Sequence, residues 1–359
     1  MLDRRVCITG VDSHVPENSV SNEELCATFN AWAEAVGQEI TEPSSPEFIE
    51  KVSGIRSRFL WDKAGVLALD RMCPDIPDRP DDEVSVQAEF ALDAARKAIA
   101  ESGREPREID LVVVGASSLQ RPYPAIAIEV QASLDASGFA FDVSAGCSSG
   151  VYALQLAHDA IQLGRARCAL VCIPEIPSAY ANFKDRDSHF ILGDASAAVV
   201  LEADRPGFEI LACRLVSKYS NNVRNNCGFL NRCDTEHRDE ADKLFYQEGR
   251  RVFRDIVKLV PTIIEAQLGE LKLTASDVRR FWLHQANARL NAAIGERLVG
   301  PSSNGRLPTI LETHANTAAA GAFVTFDKHR GDLRGGDYGV ICAFGAGYTA
   351  GSLLLRKRS

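Results

Sequence analysis

Cys147 stands in a run made only of small residues, Ser144-Ala145-Gly146-Cys147-Ser148-Ser149-Gly150. The run lies between a strand-like Phe139-Ala140-Phe141-Asp142-Val143 and a helix-like stretch from Ser149 to Leu163. A cysteine on such a strand-to-helix turn is reachable by a ligand. Its position near a helix N-terminus predicts a stabilised thiolate, because the helix dipole and free N–H groups favour negative charge. The competing reading of any cysteine is a buried structural thiol, and Cys7, Cys168, Cys172, Cys213 and Cys342 fit it, each in an apolar strand-like run. Two further polar groups share the setting of Cys147. His284-Gln285-Ala286-Asn287 follows the strand Arg280-Phe281-Trp282-Leu283 and opens a helix. His314-Ala315-Asn316-Thr317-Ala318-Ala319-Ala320-Gly321 again leads a small-residue stretch into a helix. A histidine at a strand end is by itself more often structural than reactive. A sulfur, an imidazole and an amide on equivalent turns form a self-consistent set for nucleophilic chemistry.

The elements that must position these groups come in two similar series. A helix from Ser85 to Ser102, the polar turn Glu105-Pro106-Arg107-Glu108 and an apolar strand Ile109–Val114 end at Gly115. A helix around Val252 to Leu268, the turn Leu273-Thr274-Ala275-Ser276-Asp277 and a strand Val278–Leu283 end at His284. The offset is constant at 169 residues, from position 115 to 284 and from 147 to 316. Ile191-Leu192-Gly193-Asp194 before Ala197–Leu201 resembles Ala343-Phe344-Gly345-Ala346 before Gly351–Leu355, each a Gly-rich turn feeding a strand. The pattern predicts an α/β fold made by duplication, with halves at 1–205 and 206–359 packed on each other. Reactive groups in such sheets collect at the carboxyl ends of strands, and pseudo-twofold packing would bring the two sets of ends together.

Bulk properties narrow the classes. The 359 residues are 45% hydrophobic and 25% charged, ordinary for a globular chain with a large core. A net charge of -9 argues against a nucleic-acid partner. No apolar run reaches the length of a membrane span, and Met1 to Arg5 leads straight into Val6–Gly10, so the reading is cytoplasmic. The ten cysteines are scattered and read as reduced thiols. Cys227, Cys233 and His237 lack a C-x2-C pair and a fourth ligand, so a surface loop is preferred over a metal site.

The chain resembles the 3-oxoacyl-acyl-carrier-protein synthase III (ketoacyl synthase III) family of the thiolase superfamily over nearly its whole length. The resemblance rests on Gly54-Ile55-Arg56-Ser57-Arg58, on Phe141 to Cys147, on Leu192 to Leu201, on the His284 and His314 motifs and on Ala343-Phe344-Gly345-Ala346-Gly347. It implies the duplicated five-layer αβαβα thiolase fold and a homodimer. It also implies catalysis by Cys147, His284 and Asn316. Cys147 would take an acyl group from coenzyme A or acyl carrier protein. His284 and Asn316 would hold the enolate formed when malonyl carrier protein loses CO2. Backbone amides of Cys147 and of the Gly345-Ala346 turn would hold the acyl oxyanion. No metal or redox cofactor is implied.

The substrate contacts that the resemblance suggests are Phe48, Arg121, Tyr123, Asn287, Arg289 and Phe344. The family's adenine clamp is a tryptophan and an arginine, and their equivalents here are Phe48 and Val52, so an arginine is expected to be missing. Tyr123 falls where the family reaches across its dimer into the partner's acyl pocket. Arg121 beside it reads either as a salt bridge or as a contact for a β-keto group. The second option belongs to the alternative of a ketosynthase/cyclase joining β-ketoacyl units into cyclohexanedione or dialkylresorcinol products. An acyltransferase that uses the same acyl-cysteine without decarboxylation is a further alternative. A papain-like hydrolase shares the three residue types but not these small-residue turns. The stretches Glu17–Pro46, Asp62–Asp82 and Lys218–Asp239 read as long insertions, the second a loop because of Pro74, Pro77 and Pro80.

Overall fold

Side chains along the strands alternate between two buried faces, and that alternation builds the layers. The computed structural model describes residues 4–38, 42–237, 240–301 and 305–358. The main strands are β1 (Val6–His14), β2 (Leu111–Gly115), β3 (Phe139–Val143), β4 (Cys168–Glu175), β5 (Ala195–Ala203), β6 (Phe208–Ser220), β7 (Val278–Leu283), β8 (Tyr338–Gly345) and β9 (Gly347–Lys357). They hydrogen-bond in the order β7-β8-β9-β6-β1-β5-β4-β2-β3. β2 runs parallel to β3 and β4, β7 runs parallel to β8, and the other neighbours are antiparallel. At the centre, β1 and β6 meet through only two residue pairs, Cys7 with Glu209 and Ile8 with Phe208.

Six helices cover the sheets: α1 (Val86–Ser102), α2 (Ile126–Ser133), α3 (Ser149–Gln162), α4 (Gly249–Glu270), α5 (Ala288–Val299) and α6 (Gly321–His329). On β4, Leu170 and Cys172 face α1 and α2, while Ala169, Val171 and Ile173 face the central layer with α3. On β8, Val340, Cys342 and Phe344 face α4 and α5, while Ile341 and Ala343 face the same central layer with Phe323 and Phe326 of α6. Sheets packed on both faces need such apolar residues on each side. The result is five layers, with α3 and α6 shared at the centre. The three-residue turns Pro106–Glu108 before β2 and Ala275–Asp277 before β7 match the expected repeat.

One insertion differs from expectation. Asp62 caps a short helix, Lys63–Leu67, by accepting from the Ala64 and Gly65 amides, so the Asp62–Asp82 stretch is not all loop. Glu17–Pro46 contains a 14-residue helix, Asn22–Ala35, with a capping box on Ser21 and Glu24; residues 39–41 lie outside the described residues. In Lys218–Asp239, Val223–Arg224 pairs with Tyr246–Gln247, and Arg238 and Asp239 lie outside the described residues. Among the described residues no helix is long and apolar enough to cross a membrane, and no group of three or more acidic, cysteine or histidine side chains could hold a metal.

Candidate active site

Cys147 follows β3 and precedes α3, on a turn held from both halves. Ser149 accepts from the Ala145 amide through its hydroxyl (2.8 Å). Thr349 on β9 donates to the Ala145 carbonyl (2.7 Å). Gly146 takes a left-handed φ of 56°, which a glycine adopts without strain. Gly345 lets β8 close on the sulfur: a Cβ there would meet Cys147 Cβ at 2.8 Å and Sγ at 3.0 Å. The N–H groups of Ala346 and of Cys147 itself reach the thiol and lower its pKa, while burial, first, and the Glu175 charge raise it to about 12. Burial and the Glu175 charge thus oppose the thiolate stabilisation expected from the helix N-terminus.

Asn316 lies on a turn tied to the Ile191-Leu192-Gly193 segment, its N–H bonding Ile191 O (3.0 Å) and its carbonyl accepting from Gly193 N–H (3.1 Å). Its side-chain oxygen accepts from Ala318 N–H (3.0 Å), which leaves the NH2 end for the pocket. His284 follows β7, with its N–H on Cys342 O (2.8 Å). Its buried ring packs edge-on against Phe344, centroids 5.3 Å apart, and its Nδ1 has no partner among the described residues. Burial lowers its pKa to about 4, opposed by a backbone contact from Ala318, so the imidazole is neutral at pH 7.

A cavity of about 550 Å³ opens over the sulfur, a size typical of small-ligand sites. Cys147, Asn316, Ala346, Gly347 and Thr349 line it, together with Ser117, Ser118, Leu119, Tyr180 and Phe245. Val223, Arg224, Asn225 and Cys227 also border it, from the segment that follows β6. Ser117, Ser118 and Tyr180 carried no motif. Only their place after β2 and β4, where ligands collect, could have marked them.

The remaining suggested contacts lie elsewhere. Asn287 is spent within the protein: its oxygen caps α5 on the Arg289 and Leu290 amides, and its nitrogen donates to Val52 O (2.9 Å). Phe344 is buried behind His284 rather than in the cavity wall. Arg289 is exposed on the first turn of α5. Arg121 pairs with Glu129 and donates to Pro124 O (3.3 Å), so its charge is already met. Tyr123 is 81% exposed and outside the cavity of its own chain. Phe48 does face an arginine, although not from position 52: the Arg186 guanidinium lies 4.3 Å from its ring centroid. Position 52 holds a valine, and Arg186 reaches Phe48 from the segment between β4 and β5.

Known structures share this fold. The 3-oxoacyl-(acyl carrier protein) synthase III of Pseudomonas aeruginosa superposes with a TM-score of 0.80 at 27% identity, covering 99% of each chain. The priming β-ketosynthase of the R1128 polyketide pathway gives 0.80 at 26%, covering 100% of this chain and 98% of that one. Fold and site define an acyltransferase of the thiolase-fold condensing-enzyme class. Residues 141–218 match the model of 3-oxoacyl-[acyl-carrier-protein] synthase III, and residues 268–357 match that of its C-terminal part. The β-ketodecanoyl-[acyl-carrier-protein] synthase of Pseudomonas aeruginosa is 46% identical over 334 residues, 90% of this chain and 95% of that protein. The β-ketoacyl-[acyl-carrier-protein] synthase III of Bordetella petrii is 32% identical over 354 residues, 97% of each. The chain belongs to the 3-oxoacyl-[acyl-carrier-protein] synthase III family of condensing enzymes.

Proposed function

We propose that the chain condenses a medium-length acyl group, carried on Cys147, with malonyl carrier protein in fatty-acid or related lipid synthesis. The observation that carries this is the cavity over Cys147, into which the unspent amide of Asn316 also opens. The Cys147 sulfur bonds to the acyl carbon and the donor leaves as a free thiol, carrying the proton given up by Cys147. The amides of Cys147 and of the Gly345-Ala346 turn hold the oxyanion. Malonyl thioester then enters. Its C–CO2 bond breaks, CO2 departs, and the electron pair forms an enolate whose oxygen takes hydrogen bonds from His284 and Asn316. A neutral imidazole suits this role, since it donates without giving up a proton. The enolate carbon attacks the acyl carbon, the bond to Cys147 breaks, and the sulfur regains a proton from solvent.

The relative at 46% identity is named for a ten-carbon β-keto product. Condensation adds two carbons, so the primer proposed here has eight. Either coenzyme A or acyl carrier protein can carry it; Arg186, stacked directly on Phe48 at 4.3 Å, leaves no gap for an adenine between ring and guanidinium. The paired state of Arg121 removes the observation that favoured a β-keto contact. A homodimer is supported by β3 at the sheet edge, where Phe139 is 43% exposed. All ten cysteines are free, which suits the reducing cytoplasm. The two halves divide at residues 205 and 206, inside the turn between β5 and β6.

Incubation with acyl-CoA and acyl-carrier-protein thioesters of two to twelve carbons, followed by malonyl carrier protein, tests the reading by intact and peptide mass. An octanoyl adduct on Cys147 that discharges to 3-oxodecanoyl carrier protein is expected. An adduct confined to acetyl overturns the chain length. No adduct on Cys147 from any donor overturns the mechanism.

A further inference from the structure

β4 is apolar and buried along its length until it ends in Glu175, a fully buried carboxylate. A charge in that position is costly unless donors surround it. Oε1 accepts from the Ser117 amide (2.6 Å) and the Ala319 amide (3.1 Å), and Oε2 accepts from the Ser117 hydroxyl (2.7 Å). Ser117 follows β2 in the first half. Ala319 belongs to the short 3-10 turn Ala318–Ala320 in the second half, three residues after Asn316.

That turn serves both proposed enolate donors. Ala318 N–H is the group that orients the Asn316 amide, and the Ala318 backbone contacts the His284 ring. The turn is also strained. Ala315 and Ala318, on either side of Asn316, have left-handed φ values of 57° and 46°, a region that residues with a Cβ occupy only when their surroundings hold them there. From the first half, Glu175 supplies such a hold.

We propose that Glu175 is a positioning residue for the decarboxylating half-reaction, fixing the Ala318–Ala320 turn so that Asn316 and His284 converge on the enolate oxygen. This rests on the donor roles given above. Glu175 is not among the residues that line the cavity, and its negative charge raises the Cys147 thiol. Neutralising it therefore does not hinder acylation, while loosening the turn hinders decarboxylation.

The two half-reactions can be read separately. Full-length Cys147→Ala cannot be acylated, so its conversion of malonyl to acetyl carrier protein reports decarboxylation alone; Cys147-intact protein with octanoyl-CoA reports acylation by mass. Glu175→Leu keeps much of the bulk and removes the oxygen that accepts from both the Ser117 and Ala319 amides. In the Cys147→Ala background Glu175→Leu is expected to slow decarboxylation about tenfold through kcat with little change in KM, and Asn316→Ala by about a hundredfold. With Cys147 present, Glu175→Leu is expected to acylate at least as fast as the unmodified protein. Decarboxylation at full rate in Glu175→Leu, or an equal fall in both half-reactions, overturns the assignment. Full-rate decarboxylation in Asn316→Ala overturns the donor reading and the assignment with it. Should Glu175→Leu fail to fold, Glu175→Asp keeps the charge but draws the carboxylate back from the Ala319 amide, and a several-fold loss confined to decarboxylation is the expected result; no such loss overturns the assignment.

Discussion

Cys147 is governed by two opposed influences, each traceable to named groups. Burial and Glu175 hold the proton on, and the amides of Ala346 and Cys147 pull it off, with the balance at about 12. The thiolate fraction of such a group climbs with pH throughout the neutral range. Alkylation of Cys147 by iodoacetamide is therefore expected to rise about tenfold per pH unit from 6 to 9 without a plateau. A plateau near pH 7 to 8, read by peptide mass, would mean that the turn stabilises the anion after all. The residue itself was legible because a nucleophile needs small neighbours, and those neighbours are contiguous. Its protonation was not, because Glu175 and Ala346 come from other strands. Arg186 was hidden for the same reason: its contact with Phe48 exists only once the chain has folded.

At the scale of elements, α5 shows how a residue in a reactive-looking motif can be structural. Asn287 follows His284 closely, yet both ends of its amide are used, one to cap α5 and the other to bind Val52 O. Asn287→Ala is expected to cost about 1 kcal/mol of stability, the usual value of a lost N-cap. It should lower the melting temperature and leave acylation of Cys147 largely intact. A raised KM at unchanged stability would return Asn287 to the substrate. Regular elements were well read, since Val278–Leu283 and Phe139–Val143 fall as expected. The helix Lys63–Leu67 was missed because five residues carry almost no periodic signal, and its evidence is the single cap at Asp62.

For the whole molecule, the constant offset of 169 residues was a sign of two copies of one plan, and the strand order β3-β2-β4-β5-β1 is answered by β7-β8-β9-β6 in the second half. Joining the copies buries titratable groups with opposite consequences for stability. His189, His284 and His314 are lowered to about 4, chiefly by burial, so the unfolded chain binds more protons than the folded one between pH 4 and 6.5. Stability from them is complete above 6.5 and is lost as the pH falls. Glu175 and Asp194 are raised by burial to about 7 and about 6, and they act in the reverse direction, destabilising as the pH rises. Three groups outweigh two in this window. The protein is expected to be less stable at pH 5 than at pH 7 by about 2 kcal/mol, measured by urea unfolding. Equal or greater stability at pH 5 would show that the histidines are better solvated than their burial implies.

The narrow seam between β1 and β6, two residue pairs across the middle of the sheet, has a consequence for how activity could be lost and regained. On one side of it lies the sulfur, and on the other the amide and imidazole, so a chain severed in the exposed turn at 204–206 would yield two pieces that are each chemically incomplete. What remains to hold them is the apolar layer around α3 and α6, together with the hydrogen bonds of Ala319 to Glu175, of Asn316 to Ile191 and Gly193, and of Thr349 to Ala145. A severed enzyme should therefore behave as a binary reagent, with turnover that scales as the product of the two fragment concentrations when dilute and saturates once they pair.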